Sequence, residues 1–112
     1  MSEVTISTST AVEEFVEQTI SSHKIAIFAK SHCPYSKRTK DLFAAELPDE
    51  TPAILDIDER EDCAAIQDYL LQKTGQRTVP NVFVNQTQIG GNDKTHAAFE
   101  SGELAKMIQQ EV

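Results

Sequence analysis

The sequence predicts a single α/β domain over residues 1–112, in which a central mixed sheet of four strands carries helices on both faces. Residues 25–29 form a short, continuously apolar run, as in a strand that is covered on both faces, and residues 53–57 form a second short apolar run. The segment between them has helical spacing, so the two strands should form a right-handed parallel unit. Residues 82–84 and 87–89 flank Asn85-Gln86, which indicates an antiparallel hairpin. This turn contains no Gly, so its type stays open.

Start and stop signals place the helices around this sheet. Thr10 followed by Glu13 is typical of a capping box, so a first helix should begin at Thr10, after a Ser/Thr-rich segment of about eight residues that frays. Pro34 suits the first position of a second helix, and Pro48 should close it.

The third helix is expected to open at Asp58 and Glu61 and to end at Gly75. A fourth helix should follow Gly90-Gly91-Asn92-Asp93 and stop at Gly102, and a last amphipathic helix follows it.

Composition excludes several classes of protein. The formal net charge is −8, which argues against a general nucleic-acid or membrane binder. Two cysteines do not make a disulfide scaffold, and neither a secretion signal nor a membrane-length apolar run is visible. We therefore expect a protein of a reducing compartment such as the cytosol.

Cys33 is the candidate reactive residue. Pro34 places it at the mouth of the second helix, where free N–H groups and the helix dipole favour an anion. Several basic side chains follow one another nearby without an intervening acid: Lys30, His32, Lys37, Arg38 and Lys40. The sequence therefore predicts a lowered pKa for the Cys33 thiol. The alternative is a small apolar cysteine at the end of a strand.

A lowered pKa chiefly helps the sulfur to leave. The thiolate fraction rises at neutral pH, but intrinsic nucleophilicity falls by a similar factor. A stabilised thiolate departs readily when a second thiol attacks a disulfide made at Cys33. The pattern suits a cysteine that is loaded and then unloaded. Cys63 lies on the apolar stripe of the third helix, and we expect it to be structural.

Thr78-Val79-Pro80 directly precedes the hairpin and is the second candidate for a binding segment. The residue before a proline is pushed to an extended conformation, so Val79 should expose backbone groups that can pair with a short peptide. From the residues alone, an ordinary strand-opening proline with a trans bond is the more common case.

Three motifs in order resemble the glutaredoxin family. Cys33-Pro34-Tyr35-Ser36 resembles the Cys-Pro-Tyr-Cys site of dithiol-type glutaredoxins, with Ser36 in the place of the second cysteine. Thr78-Val79-Pro80-Asn81 resembles the family's Thr-Val-Pro segment, and Gly90-Gly91-Asn92-Asp93 is similar to its Gly-Gly motif. The resemblance runs from about Ile25 to Leu104 and implies a thioredoxin-like fold.

The resemblance also implies a binding site for glutathione, the co-substrate of the family. The Val79–Pro80 bond would be cis, and the Val79 backbone would hold the cysteine of glutathione. Lys30, Pro34, Tyr35 and Ser36 would surround and stabilise the thiolate. The implied glutathione-binding residues are Lys30, Tyr35, Gln67, Arg77, Thr78, Val79, Pro80, Gly91, Asn92 and Asp93. Lys94 departs from the family, which usually has Asp at that position.

Ser36 restricts the implied mechanism, because a hydroxyl cannot resolve a mixed disulfide. The resemblance then implies a monothiol glutathione-disulfide oxidoreductase that reduces protein–glutathione mixed disulfides through Cys33. Its partners would be glutathione, glutathionylated proteins and, indirectly, glutathione reductase, and we expect a monomer without a metal. Whether Ser36 is natural or an introduced Cys→Ser change stays open.

Two other functions stay open. The chain could bind or transfer a [2Fe–2S] cluster as a glutathione-ligated dimer, with Cys33 supplying one thiolate from each chain. It could instead be a redox-silent interaction domain, which would require an inert Cys33.

Overall fold

A four-stranded mixed sheet forms the centre of the fold in the computed structural model, which describes residues 2–110, with side chains from residue 10 onward. The strands are β1 (Ile25–Ala29), β2 (Ala53–Asp56), β3 (Asn81–Val84) and β4 (Thr87–Gly90), in the order β2-β1-β3-β4. Strand β1 is parallel to β2 and antiparallel to β3, and β3 is antiparallel to β4. The predicted mixed sheet is confirmed.

Strand β1 is buried on both faces, as its apolar run predicts. Ala26 and Phe28 belong to the core cluster that contains Ile20 and Leu70 from the first and third helices. Ile25, Ile27 and Ala29 belong to the cluster on the other face, which contains Phe43, Leu104 and Ile108 from the other helices. Helices therefore cover both faces of the sheet. The chain leaves the end of β1 at one edge of both helical layers.

The helices are α1 (Ser2–Ser22), α2 (Pro34–Glu46), α3 (Cys63–Thr74), α4 (Asn92–Ser101) and α5 (Glu103–Gln109). The prediction that the first helix begins at Thr10 is wrong, because α1 is continuous from Ser2. No proline or glycine precedes Thr10 to interrupt the helix, so Thr10 lies within it and does not cap it. Within residues 2–110, every helix is too short or too polar to cross a membrane.

The start of α3 also differs from the prediction. Ile57–Glu59 form a 3₁₀ turn after β2, and α3 begins only at Cys63, after the N-cap residue Asp62. Ile57 is fully buried, which turns the chain inward immediately after β2. Asp58 does not open the helix, because its carboxylate binds Ser31 instead.

The β3–β4 turn contains two residues with positive φ, Asn85 at 48° and Gln86 at 70°. Positive φ at both central residues is the backbone pattern of a type I′ turn, whose twist matches that of the flanking strands. The Asn85 side chain donates to the carbonyls of Met107 and Gln110, at 2.7 and 3.0 Å. These tertiary hydrogen bonds to the end of α5 hold Asn85 in the positive-φ conformation that glycine often adopts in such turns.

Candidate active site

Cys33 is the N-cap of α2, and Pro34 is the first residue of that helix. The Cys33 backbone is extended, with φ −94° and ψ 119°, so its side chain turns back over the first turn. The backbone N–H of Ser36 points to the Cys33 sulfur at an N–S distance of 3.5 Å. The predicted position at the mouth of the helix is confirmed.

The surroundings of Cys33 favour the thiolate. Partial burial raises the pKa of the Cys33 thiol, but hydrogen bonds from the backbone and hydroxyl of Ser36, a bond from the backbone of Tyr35 and the charge of Lys30 outweigh burial. The net direction is a lowered pKa, as predicted. The hydrogen bonds from Ser36 and Tyr35, in the first turn of α2, lower the pKa of the Cys33 thiol more than the charge of Lys30 does.

Ser36 connects both sides of the loop that carries Cys33. The side chain is fully buried, and its oxygen accepts a hydrogen bond from the Lys30 N–H at 3.1 Å. The same hydroxyl lowers the pKa of the Cys33 thiol. A hydroxyl can accept one bond and donate another at once, so Ser36 supports the loop and stabilises the thiolate together.

The basic cluster expected around Cys33 does not assemble as a whole. Lys37 pairs with Asp41 at 3.1 Å, and Lys40 pairs with Asp56 at 2.7 Å. The guanidinium of Arg38 lies over the ring of Tyr35, 5.1 Å from its centroid, which is a cation–π contact. His32 contributes to the lowered pKa of the Asp58 carboxyl. Among these basic residues, only Lys30 lowers the pKa of Cys33 through its charge.

Asp58 anchors the loop between β1 and Cys33, a role that the sequence did not reveal. Its two carboxylate oxygens accept hydrogen bonds from the Ser31 N–H and hydroxyl, at 2.9 and 2.6 Å. These bonds keep the pKa of the Asp58 carboxyl below its usual value. The 3₁₀ turn thereby fixes the segment that leads into the helix mouth.

A groove of about 500 Å³ runs past Val79, the neighbour of Cys33, although Cys33 itself does not line the groove. The Val79–Pro80 peptide bond is cis, as the resemblance implied. The Val79 carbonyl oxygen, at the groove wall, lies 3.9 Å from the Cys33 sulfur. The groove is lined by Tyr35, Gln76, Thr78, Val79, Pro80, Gly91, Asn92, Asp93 and Lys94. A linear ligand in this groove would therefore pass directly beside the thiolate.

Three residues expected at the glutathione site do not line this groove: Lys30, Gln67 and Arg77. Lys30 acts through its charge and its backbone on the Cys33 side. The Gln67 side chain is buried and donates to the Arg77 carbonyl at 3.1 Å, while the Arg77 guanidinium pairs with Asp68 at 2.9 Å. Cys63 packs against the core on the α3 side of the sheet.

The far wall of the groove begins at the N-terminus of α4. Gly91 is its N-cap and Asn92 its first residue. The Asn92 side-chain oxygen accepts a hydrogen bond from the buried hydroxyl of Thr39 at 2.9 Å, which ties α4 to the helix that follows Cys33. Asp93 and Lys94 are exposed at the groove, and neither has an ion-pair partner among residues 10–110, whose side chains the structure describes. One acidic and one basic group are therefore available to a ligand.

Gln76 was not predicted from the sequence, although its side chain lies in the groove wall. It donates to the carbonyls of Thr78 and Pro80, at 2.9 and 3.0 Å. Its position in a loop carries no periodic or motif signal, so only the folded chain reveals these contacts.

Comparison with known proteins identifies the family. A model of the glutaredoxin family matches residues 25–89. Glutaredoxin-C4 of Arabidopsis thaliana is 50% identical over 108 residues, covering 96% of this chain and 78% of that protein. Monothiol glutaredoxin-S6 of Oryza sativa subsp. japonica is 46% identical over 94 residues, covering 84% and 70%.

The solved structures agree with the sequence relatives. A crystal structure of a buckwheat glutaredoxin–glutathione complex matches with a TM-score of 0.83 and 35% identity, and the match covers 89% of each chain. Residues 25–89, which the family model matches, contain β1, β2, β3 and all of β4 except Gly90, together with Cys33 and Val79. The chain therefore belongs to the glutaredoxin family, whose members are glutathione-dependent thiol oxidoreductases with a thioredoxin-like fold.

Proposed function

We propose that this chain reduces protein–glutathione mixed disulfides by a monothiol mechanism in which Cys33 is the only catalytic cysteine. The observation that supports this proposal most directly is the distance of 3.9 Å between the Cys33 sulfur and the Val79 carbonyl oxygen, which lies in the wall of the groove. A peptide held along that wall would have its own sulfur beside the thiolate. Ser36, in the first turn of α2, supplies a hydroxyl where a resolving thiol would be needed.

The first step is a thiol–disulfide exchange at Cys33. The Cys33 thiolate attacks the glutathione sulfur of a protein–glutathione disulfide, the old S–S bond breaks, and the protein sulfur leaves as a thiolate that takes a proton from water. A Cys33–glutathione disulfide is formed. No electrons are gained or lost overall, because one disulfide replaces another.

The second step regenerates the enzyme. The thiolate of a second glutathione attacks the glutathione sulfur bound to Cys33, so glutathione disulfide forms and the Cys33 thiolate leaves. The hydrogen bonds from Ser36 and Tyr35 stabilise that leaving thiolate. Over both steps, one glutathione thiol is consumed, glutathione disulfide is formed and one protein thiol is recovered.

The groove supplies groups suited to the rest of the tripeptide. The extended Val79 backbone can pair with the cysteine of glutathione as an added strand does. The positive N-terminal end of α4 suits the γ-glutamyl carboxylate, and the Lys94 side chain offers that carboxylate a further positive charge. Asp93 suits the γ-glutamyl ammonium. In this proposal, Gln67 and Arg77 act from outside the groove, on the loop that precedes Thr78.

Exposure to glutathione disulfide followed by intact mass spectrometry tests the site and ligand together. We expect one glutathione adduct on the parent protein and on the Cys63→Ser control, and none on Cys33→Ser. Turnover of a glutathionylated peptide with glutathione should be lost in Cys33→Ser and retained in Cys63→Ser. Parent-rate turnover by Cys33→Ser would contradict the mechanism.

The iron–sulfur alternative remains a separate prediction, with its own measurement. Visible absorbance after anaerobic purification with glutathione would favour it, and the same preparation without absorbance would favour the reduction of mixed disulfides.

A further inference from the structure

The side-chain amide of Gln76 bridges the two carbonyls that flank Val79. Its Nε2 donates to the Thr78 carbonyl at 2.9 Å and to the Pro80 carbonyl at 3.0 Å. Both hydrogens of one amide group are thereby used on either side of a single residue. The backbone from Thr78 to Pro80 is held at both ends by this one side chain.

These bonds leave the Val79 backbone free for a ligand. Among residues 10–110, whose side chains the structure describes, the Val79 N–H makes no hydrogen bond, and the Val79 carbonyl accepts one only from the Cys33 thiol. The thiolate form of Cys33 has no proton to donate, so ionisation leaves both the N–H and the C=O of Val79 without a partner, and such a segment is mobile unless its neighbours are fixed. Gln76 fixes those neighbours without using the groups that a peptide needs.

The Gln76 amide is itself held in orientation. Its Oε1 accepts a hydrogen bond from Gln88 Nε2 at 3.4 Å, and Gln88 Nε2 also donates to the buried Asn81 side chain at 3.0 Å. Gln88 belongs to β4 and Asn81 to β3, so the sheet sets which end of the Gln76 amide faces the loop. The donor end is therefore directed at the two carbonyls.

The amide also lies close to the far wall of the groove. A Cβ placed on Gly91 would lie 3.9 Å from Gln76 Nε2 and 3.6 Å from the Pro80 carbonyl oxygen. The N-cap of α4 thus approaches the segment that Gln76 holds, and a shift in one wall would alter the width of the groove.

We infer that Gln76 is a positioning residue for glutathione, which it serves by holding the carbonyls of Thr78 and Pro80 so that the free backbone groups of Val79 face the groove. This inference rests on the proposed function and deepens it. It concerns recognition of the tripeptide, while the reactivity of the sulfur depends on the mouth of α2.

The experiment compares two disulfides that react with the same thiol. The rate of Cys33 mixed-disulfide formation is measured with glutathione disulfide, which can use the groove, and with 2-hydroxyethyl disulfide, which has no peptide backbone. Their ratio reports recognition by the groove. The variants are Gln76→Met, which removes the amide at similar length, and Gln76→Glu, which directs carboxylate oxygens at two carbonyls. Gln72→Met and Gln72→Glu, on the exposed surface of α3, are matched controls.

We expect the ratio to fall by about tenfold in Gln76→Met, which corresponds to about 1.4 kcal/mol of transition-state binding, and by more in Gln76→Glu. The rate with 2-hydroxyethyl disulfide and the pH profile of Cys33 alkylation should stay at the parent values, as should both Gln72 controls.

A parent ratio that survives in both Gln76 variants would overturn the inference and leave the proposed function standing. Equal losses with both disulfides would also overturn it, because they would show general damage to the site. A parent protein without preference for glutathione disulfide would overturn both the inference and the proposed recognition of glutathione.

Discussion

Replacement of Thr39 by Val tests the buried link between the helix that follows Cys33 and the far wall of the groove. The Thr39 hydroxyl is fully buried and donates to the Asn92 side-chain oxygen at 2.9 Å. Valine has nearly the same shape but no donor, so the Asn92 oxygen would lose this partner in a buried position. Such a loss costs about 1–3 kcal/mol.

Urea denaturation measures this cost. With a slope of about 1–3 kcal/mol/M for a small domain, a loss of about 2 kcal/mol lowers the midpoint by about 1 M. Thr19→Val is the matched control, because the Thr19 hydroxyl donates to the Phe15 carbonyl within α1. That carbonyl also belongs to the helix ladder, so we expect a loss of at most about 1 kcal/mol.

A double-mutant cycle decides whether the energy belongs to this bond. In an Asn92→Ala background, the partner is already absent, so Thr39→Val should become nearly neutral or slightly stabilising. The same loss of stability in both backgrounds would refute the reasoning, since it would assign the cost to packing around Thr39. Because Asn92 lines the groove, the Thr39→Val protein should also react more slowly with glutathione disulfide.

Three further predictions concern ionisation and the active-site loop. Ser36→Ala removes a hydrogen bond to the thiolate, so the pKa of Cys33 should rise and the midpoint of its alkylation should move to higher pH; an unchanged midpoint would contradict this role. The hydrogen bond to Glu17 raises the pKa of Tyr69 to about 12 from 10.0. The stability that this bond contributes is therefore complete below about pH 10 and is lost as the pH rises toward 12. The difference in unfolding free energy between the parent and Tyr69→Phe should therefore shrink from pH 9 to pH 11.5, and a constant difference would count against it. Asp58→Ala releases the loop that precedes Cys33, so amide hydrogen exchange in that loop should accelerate by about tenfold or more, while exchange in β3 stays unchanged.

The sheet was predictable because its signals are local in the sequence. A five-residue apolar run such as Ile25–Ala29 indicates a strand covered on both faces whatever its neighbours are. The same holds for Cys33 and Pro34, whose adjacency places the thiol at a helix mouth.

The errors in the predicted site come from contacts between distant residues. Lys40 is neutralised by Asp56 on a neighbouring strand, so counting charges along the chain overstated the basic field at Cys33. Asp58 has a sequence pattern suited to a helix cap, but Ser31 competes for its carboxylate across the fold. Such competition depends on three-dimensional placement, which a sequence pattern does not contain.

The bond from the Lys30 N–H to the Ser36 oxygen has a consequence for chemistry at this position. Sulfur is a weak hydrogen-bond acceptor, so a cysteine at position 36 would support the end of β1 less firmly than serine does. A chain with cysteine there could close an internal disulfide, at the expense of this support. Serine lacks a second thiol but keeps a rigid loop around a single sulfur, which suits the proposed mechanism because Cys33 would have to return to the same geometry after every transfer.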